Sequence, residues 1–219
     1  MSDEIIERVA RLDTSTISDA LDKLGIAGQC RGIKPRDHRF RMTGRAYTVA
    51  YGPIDRANPG TVGDYIDDLV SGTVVVLAND GREDATVWGD ILTWLAHAKA
   101  LAGTVIDGAN RDTQLSLELG YPIYSRSYSM RTGKDRVQVI GEDVPVTIGQ
   151  ARVCPGDILR GDADGVVAIP RTREHEVVEA AETIHQAEEA IRRLIAAGRS
   201  LREAREELKY HELQRHTRS

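Results

Sequence analysis

The chain has 219 residues, 41% hydrophobic and 29% charged, enough apolar material for a sizeable core and too much for a disordered or fibrous protein. A formal charge of −5 leaves no basic footprint for nucleic acid, and no apolar run approaches the roughly 20 residues of a membrane span. The charged start MSDEIIERVARLD lacks a secretory h-region, and Cys30 and Cys154 stand alone, fitting neither a disulfide framework nor a zinc motif. The expectation is a soluble, cytoplasmic globular protein.

The first 25 residues carry helical spacing, with Ile5, Ile6, Val9 and Leu12, a fresh N-cap in Thr14-Ser15-Thr16, then Ile17, Leu21 and Leu24 before Gly25. Residues 26–38 read as loop and Met42–Tyr51 as strand. From Thr73 the pattern alternates: strand 73–78, helix 90–101, strand 104–106, helix 113–119 ended by Gly120, strand 122–125. That β-α-β-α-β order predicts a mainly parallel sheet. From about 135, short strands (RVQVI, VPVTI, ARV, DILRG, GVVAI) suggest antiparallel pairing or a small second sheet. Residues 171–216 read as one long helix, or two broken at Gly198-Arg199-Ser200. Its near-balanced charges argue against a nucleic-acid arm, and Val177, Ile184, Ile191 and Ile195 form an apolar stripe.

The most informative segment is GDILTWLAHAKALAGTVIDGANRD at 89–112. Gly89-Asp90 opens a helix, whose first free amides, near Ile91 and Leu92, favour carboxylates or phosphates. Arg111-Asp112 sits where the next helix begins. In an open parallel sheet such strand-to-helix turns share the ligand-binding edge. Two carboxylates there suit a hard cation held largely through water. The guanidinium and amides suit a substrate carboxylate. Against this stand simpler roles: Asp112 as an N-cap, Asp90 as a first-turn acid, and Asp107 as a partner of the turn that follows it.

The segment resembles the RraA-like family, which includes the class II 4-hydroxy-4-methyl-2-oxoglutarate/4-carboxy-4-hydroxy-2-oxoadipate aldolases. Its aldolase members carry an Asp, twenty intervening residues and Arg-Asp; here Asp90 precedes residues 91–110 and Arg111-Asp112. STISDALDKLG at 15–25, MTGRAYTV at 42–49, LGYPIYSR at 119–126 and PGDILRGDADGVVAIP at 155–170 extend the resemblance over about 12–200. It implies an α/β fold layered β/β/α, resembling the swivelling phosphohistidine domain, with a long C-terminal helix. The family domain would span 1–198 and a helical extension 199–219.

The resemblance also implies a metal-dependent lyase acting on a 4-hydroxy-2-oxo dicarboxylic acid to release pyruvate, with oxaloacetate decarboxylation as a second activity. Asp112 would anchor Mg²⁺ or Mn²⁺, Arg111 would bind the pyruvyl carboxylate, and Asp90 would hold metal-bound waters. Gly89 and the amides of Ile91 and Leu92 would contact substrate. Assembly would be a homotrimer or homohexamer, a Glu on a neighbour's C-terminal helix joining the site. At about 100° per residue, Glu188 falls within roughly 20° of Val177 and Ile195 whereas Glu189 lies about 100° further round, so Glu188 is the candidate. An i,i+4 pair with Arg192 is its alternative role.

Other groups rank lower. The six histidines show no metal-binding spacing, and His175 and His185 read as solvated; GDADG at 161–165 reads as a hairpin turn. Arg126 and Arg131 could reach a distal substrate carboxylate, and Trp88 and Trp94 read as packing residues. A Schiff-base aldolase needs a desolvated lysine; Lys99, nine residues beyond Asp90, faces away, and Lys23, Lys34, Lys134 and Lys209 read as outside the site. The non-enzymatic alternative, also by resemblance, is a regulator binding ribonuclease E; the intact Asp90 and Arg111-Asp112 favour the enzyme.

Overall fold

The computed structural model describes residues 3–208 and 210. Two short helices open the chain, α1 (Glu4–Ala10) and α2 (Thr14–Lys23). Asp13, rather than the hydroxyls expected to cap α2, accepts from the Thr16 amide at 2.7 Å. Strands β1 (Lys34–Pro35), β2 (Met42–Pro53) and β3 (Thr73–Thr86) follow, then α3 (Asp90–Ala98), β4 (Gly103–Asn110), α4 (Thr113–Leu119) and β5 (Ile123–Tyr128). The later strands are β6 (Val137–Glu142), β7 (Val146–Ile148), β8 (Ala151–Val153), β9 (Ile158–Gly161) and β10 (Val166–Ile169).

An eight-stranded sheet runs β1-β5-β4-β3-β2-β9-β10, with β6 also paired to β2. Its centre, β2 to β5, is parallel, as the alternation predicts; β1, β6, β9 and β10 are antiparallel. β7 and β8 form the second, two-stranded sheet.

Strand periodicity sorts the core into layers. Val74 and Val76 on β3 face the side that holds Val146, Ile148, Ala151 and Val153 of the small sheet. Val75 and Leu77 face Trp88, Ala96 and Tyr121 on the helical side. At the far end Ile158, Val167 and Ile169 meet α1, α2 and a long helix α5 (Glu174–Ala196). The order is therefore small sheet, large sheet, helices, the β/β/α arrangement expected.

The C-terminal helix breaks at the expected place. α5 ends at Ala196, Gly198 takes φ 92°, and α6 (Leu201–Glu207) starts from a capping box between Ser200 and Glu203. The remainder of the expected helix, 211–216, lies outside the described residues. The apolar stripe is shorter than expected: Val177, Ile184 and Ile191 are buried, but Ile195 is 42% exposed. His185 also departs from expectation, its Nδ1 being buried without a hydrogen-bond partner among the described residues. No helix among them is long and apolar enough to cross a membrane.

Candidate active site

Two strand-to-helix turns meet at the carboxyl edge of the parallel strands. The first, 87–90, leaves β3 and starts α3; the second, 111–112, leaves β4 and starts α4. They are stitched together: the Arg111 amide donates to the Trp88 carbonyl at 2.9 Å. Trp88 is buried and stacked on Tyr121, and its Nε1 donates to Thr93 Oγ1, which donates to the Gly89 carbonyl at 2.8 Å. The start of α3 is thus pinned to the core before any ligand arrives.

Asp112 occupies the N-cap position of α4 but makes no side-chain cap bond. Its backbone is left-handed, φ 54° and ψ 39°, a conformation that Asp tolerates better than most residues. The turn aims the carboxylate back across the site. Oδ2 accepts from the Asp90 amide at 3.2 Å and lies 3.2 Å from Arg111 Nε. The capping role read from sequence is therefore not the role of this side chain.

Asp90 folds its carboxylate over its own helix start, Oδ1 accepting from the Ile91 amide at 2.8 Å. This alters the expected substrate contacts. The amides of Asp90 and Ile91 are taken by carboxylates, while the Leu92 amide has no partner among the described residues. The Ile91 side chain is 78% exposed. Gly89 is where the two turns come closest. A Cβ there would stand 3.0 Å from Asp112 Oδ2 and 3.1 Å from Arg111 Nε.

The cleft over Gly89, Asp90, Ile91 and Arg111 has a volume of about 290 Å³ and also takes in Leu92, Thr132, Gly133 and Lys134. Lys134, read from sequence as outside the site, lines it. Its loop is held through its main-chain carbonyls: Thr86 N donates to Arg131 O at 3.1 Å, and the Arg136 side chain donates through Nη1 to the carbonyls of Thr132 and Lys134. Gly133 sits so close to β3 that a Cβ would lie 2.2 Å from the Thr86 carbonyl. Among the described residues Lys134 has no ion pair. No local pattern in the sequence marks it; the long-range bridge of Thr132 to Thr86 brings it in.

The remaining candidates lie elsewhere. Asp107 does not serve its following turn: it is a buried β4 residue paired with Arg126 and accepting from the Gly149 amide at 2.9 Å. Hydrogen bonding to Asp107 raises the Arg126 pKa above its ordinary value against the opposing effect of burial. Arg131 faces Asp84 at 3.9 Å, and Lys99 Nζ donates to the Asp67 carbonyl, away from the cleft as expected. Trp94 is 61% exposed, not packed.

Glu188 does not line the cleft of its own chain. Its side chain is 21% exposed against 46% for Glu189; it accepts from Tyr210 Oη at 2.8 Å and lies 3.6 Å from Arg192. Arg192 makes its closer pair with Glu189.

The donor set fits a water-rich hard cation. Asp112 Oδ1 and Asp90 Oδ2 accept no hydrogen bond from the described residues; Asp90 lines the cleft, and Asp112 stands just behind it, its Oδ2 3.2 Å from the Asp90 amide. Among the described residues no three His, Cys, Asp or Glu side chains cluster as a closed cage would require. Two free carboxylate oxygens with water completing the shell is the usual habit of Mg²⁺.

Known proteins resemble this chain in sequence and in fold. The RraA-like family model (Aldolase/RraA) matches residues 14–168. Protein DlpA of Legionella pneumophila is 37% identical over 210 residues, covering 95% of this chain; the chain spans only 34% of DlpA's length. A Halalkalibacterium halodurans protein, provisionally named 4-hydroxy-4-methyl-2-oxoglutarate aldolase, is 31% identical over 193 residues, 88% of this chain and 89% of its own. The crystal structure of an uncharacterized Pseudomonas syringae pv. tomato protein superposes with a TM-score of 0.86 at 38% identity, covering 94% of this chain and 98% of that one.

Proposed function

This chain belongs to the RraA-like family, and on that premise we propose that it is a divalent-metal-dependent lyase. It cleaves a 4-hydroxy-2-oxo dicarboxylic acid to pyruvate and a second oxo acid, and decarboxylates oxaloacetate as a second activity. The observation that carries the reading is the joint at Gly89, where Asp90, Arg111 and Asp112 meet with one carboxylate oxygen of each Asp turned free. The homologue from H. halodurans, through its name, supports the choice of reaction.

Asp112 and, through water, Asp90 would hold Mg²⁺ or Mn²⁺. A cation bound there supplies Lewis-acid stabilisation of the negative charge that develops as the C3–C4 bond breaks. The protein's own groups do the rest. Arg111 comes closest to Asp112 through Nε and its two terminal nitrogens make no hydrogen bond among the described residues, leaving a planar fork for the pyruvyl carboxylate. The Leu92 amide, at the positive end of α3, offers a further donor to the same end of the substrate. Asp90 Oδ2 would hold the water that takes the proton from the 4-hydroxyl. Lys134, across the cleft, supplies the cation for the distal carboxylate, the role sequence reasoning offered to Arg126 and Arg131. A trimer or hexamer would bring Glu188 of one subunit to the cleft of the next.

The test is pyruvate release from a panel of 4-hydroxy-2-oxo dicarboxylic acids and oxaloacetate, each corrected for the protein-free rate. Release is expected to vanish with EDTA and return with Mg²⁺ or Mn²⁺. Full release from chelated protein would refute the metal-dependent reading. No release from any member by folded, metal-supplied protein would refute the lyase and favour the non-enzymatic regulator.

A further inference from the structure

The largest cleft near the carboxyl edge of the parallel strands is not the one just described. On the opposite face of the sheet, between the ends of β2 and β3 and the start of β7, lies a cleft of about 560 Å³, within the range of small-molecule pockets. Its walls include Ala50, Pro53, Ala78, Ile140, Pro145 and Val146, and Arg126 is one of two arginines that line it.

Arg126 is preorganised. Its Nε donates to Asp107, which is buried at 4% exposure and pinned from the other side by the Gly149 amide. Two glycines with left-handed backbones flank the guanidinium: a Cβ on Gly32 would lie 3.0 Å from Nη1, and one on Gly81 would lie 3.3 Å from Nε. Both terminal nitrogens are without a hydrogen-bond partner among the described residues. They form the edge of the fork that takes a carboxylate through two parallel bonds. The other charges lining the cleft are Asp80 and Arg82, and Glu83 lies near enough to act on Arg126. Arg82 is paired through Nε and Nη2 with Asp84, which largely neutralises the second cation, and Asp80 repels a second negative charge. An Asp–Arg pair serving only to brace the sheet would need neither the apolar chamber nor the open donor edge.

We propose that this cleft is a binding site for an organic monocarboxylate with an apolar body, the carboxylate on the terminal nitrogens of Arg126 and the body against Ile140, Pro145 and Val146. The site is separate from the Asp90–Arg111–Asp112 cleft and does not depend on the lyase reading.

Saturation-transfer NMR on the full chain, with phenylacetate as probe and phenylacetamide as its neutral counterpart, tests this. Phenylacetate is expected to bind, with phenylacetamide at least tenfold weaker. Arg126→Gln should weaken phenylacetate by tenfold or more, and Thr147→Trp, an exposed lining residue, should do the same by filling the mouth without touching the charge pair. Arg111→Gln should leave binding within twofold. Absence of phenylacetate binding, equal binding of the amide, unchanged binding in folded Thr147→Trp, or loss of binding in Arg111→Gln would each overturn the proposal. If Arg126→Gln does not fold, Thr147→Trp and the amide still decide it. Pyruvate release, measured separately, reports on the other cleft alone.

Discussion

Replacing Gly89 by alanine probes the joint between the two turns with one methyl group. The backbone does not object: Gly89 has φ −148° and ψ −165°, extended values that alanine adopts freely. The cost is steric and local. The new Cβ would stand 3.0 Å from Asp112 Oδ2 and 3.1 Å from Arg111 Nε, so both groups must retreat by a few tenths of an ångström. Asp112 Oδ2 ends its side chain and Arg111 Nε lies along a flexible one; both side chains are part-exposed, 39% and 37% accessible, and exposed pairs contribute only about 0–1 kcal/mol. The loss of stability should therefore stay within about 1 kcal/mol, a fall in Tm of about 2–4 °C for a chain of this size. Function has less tolerance. Asp112 Oδ2 is already shared between the Asp90 amide and Arg111 at 3.2 Å each, and moving it disturbs metal anchor and substrate fork together. A misplacement of about 1 Å can cost about 10²-fold in rate; a displacement of several tenths should cost about 10-fold or more, at least about 1.4 kcal/mol of transition-state stabilisation. Steady-state pyruvate release beside thermal unfolding separates the two effects. Gly60→Ala, whose Cβ meets Gln138 only at an ordinary 3.4 Å, is the control. A Gly89→Ala protein with kcat/KM within twofold of wild type would refute the argument that this glycine holds the site open.

Asp112→Asn should fold, since Asn suits a left-handed backbone and its amide oxygen can still accept from Asp90, with stability within about 1 kcal/mol of wild type. It should lose Mg²⁺ binding in calorimetry, because a neutral amide is a poor substitute for an anionic ligand; unchanged metal affinity would show that Asp112 is not the anchor. Asp162→Asn should destabilise by about 2–4 kcal/mol at neutral pH, because buried Asp162 accepts from Thr14 N, Thr14 Oγ1 and Asp164 N at 2.7–2.9 Å and an amide cannot accept all three. Burial on its own raises the Asp162 pKa, but these bonds and nearby Arg160 outweigh it and bring it below the ordinary 3.8. The carboxylate's extra stability is therefore complete above about pH 4 and lost as pH falls through the depressed value. The gap between wild type and variant in urea unfolding should narrow in acid, and a gap that stays constant from pH 7 to pH 3 would contradict this.

What was legible in the sequence follows from where the forces are local. α4 spans Thr113–Leu119 as its periodicity indicates, and Gly120 ends it at φ 66°. The turns holding Asp90 and Arg111-Asp112 could be read because both are strand-to-helix junctions, whose edge is set by topology. β3 was not legible. Read as ending at Ala78, it continues to Thr86 through NDGREDAT, a polar stretch that looks like loop. An Asn79 Nδ2 bond to the Ala85 carbonyl at 2.9 Å closes that excursion, and the strand then rejoins β4. β4 likewise runs on to Asn110, because its polar residues are buried with partners: Asp107 with Arg126, and Asn110 with Ser125 Oγ at 2.8 Å. Pairs so distant in sequence leave no local periodicity, and Lys134 was missed for the same reason.

The excursion in β3 also explains why the edge carries two clefts instead of one. A strand ending at Ala78 would leave the carboxyl ends of β2, β4 and β5 around one open crevice. Residues 79–86 instead fill its middle, and Arg82 and Thr86 pair with Gly108 and Ala109 of β4. One side of this partition lines the Arg126 cleft with Asn79, Asp80 and Gly81; the other leads through Val87 and Trp88 into Gly89. Because Trp88 is stacked on Tyr121 and bonded to Thr93, and its carbonyl holds the Arg111 amide, the partition and both turns are one hydrogen-bonded unit. Strain at the Trp88 end therefore reaches Asp90 and Arg111 together, whereas the Asp107–Arg126 pair has its own anchorage in Gly149 on the small sheet. The two clefts share a wall, but each is braced by a different layer of the fold.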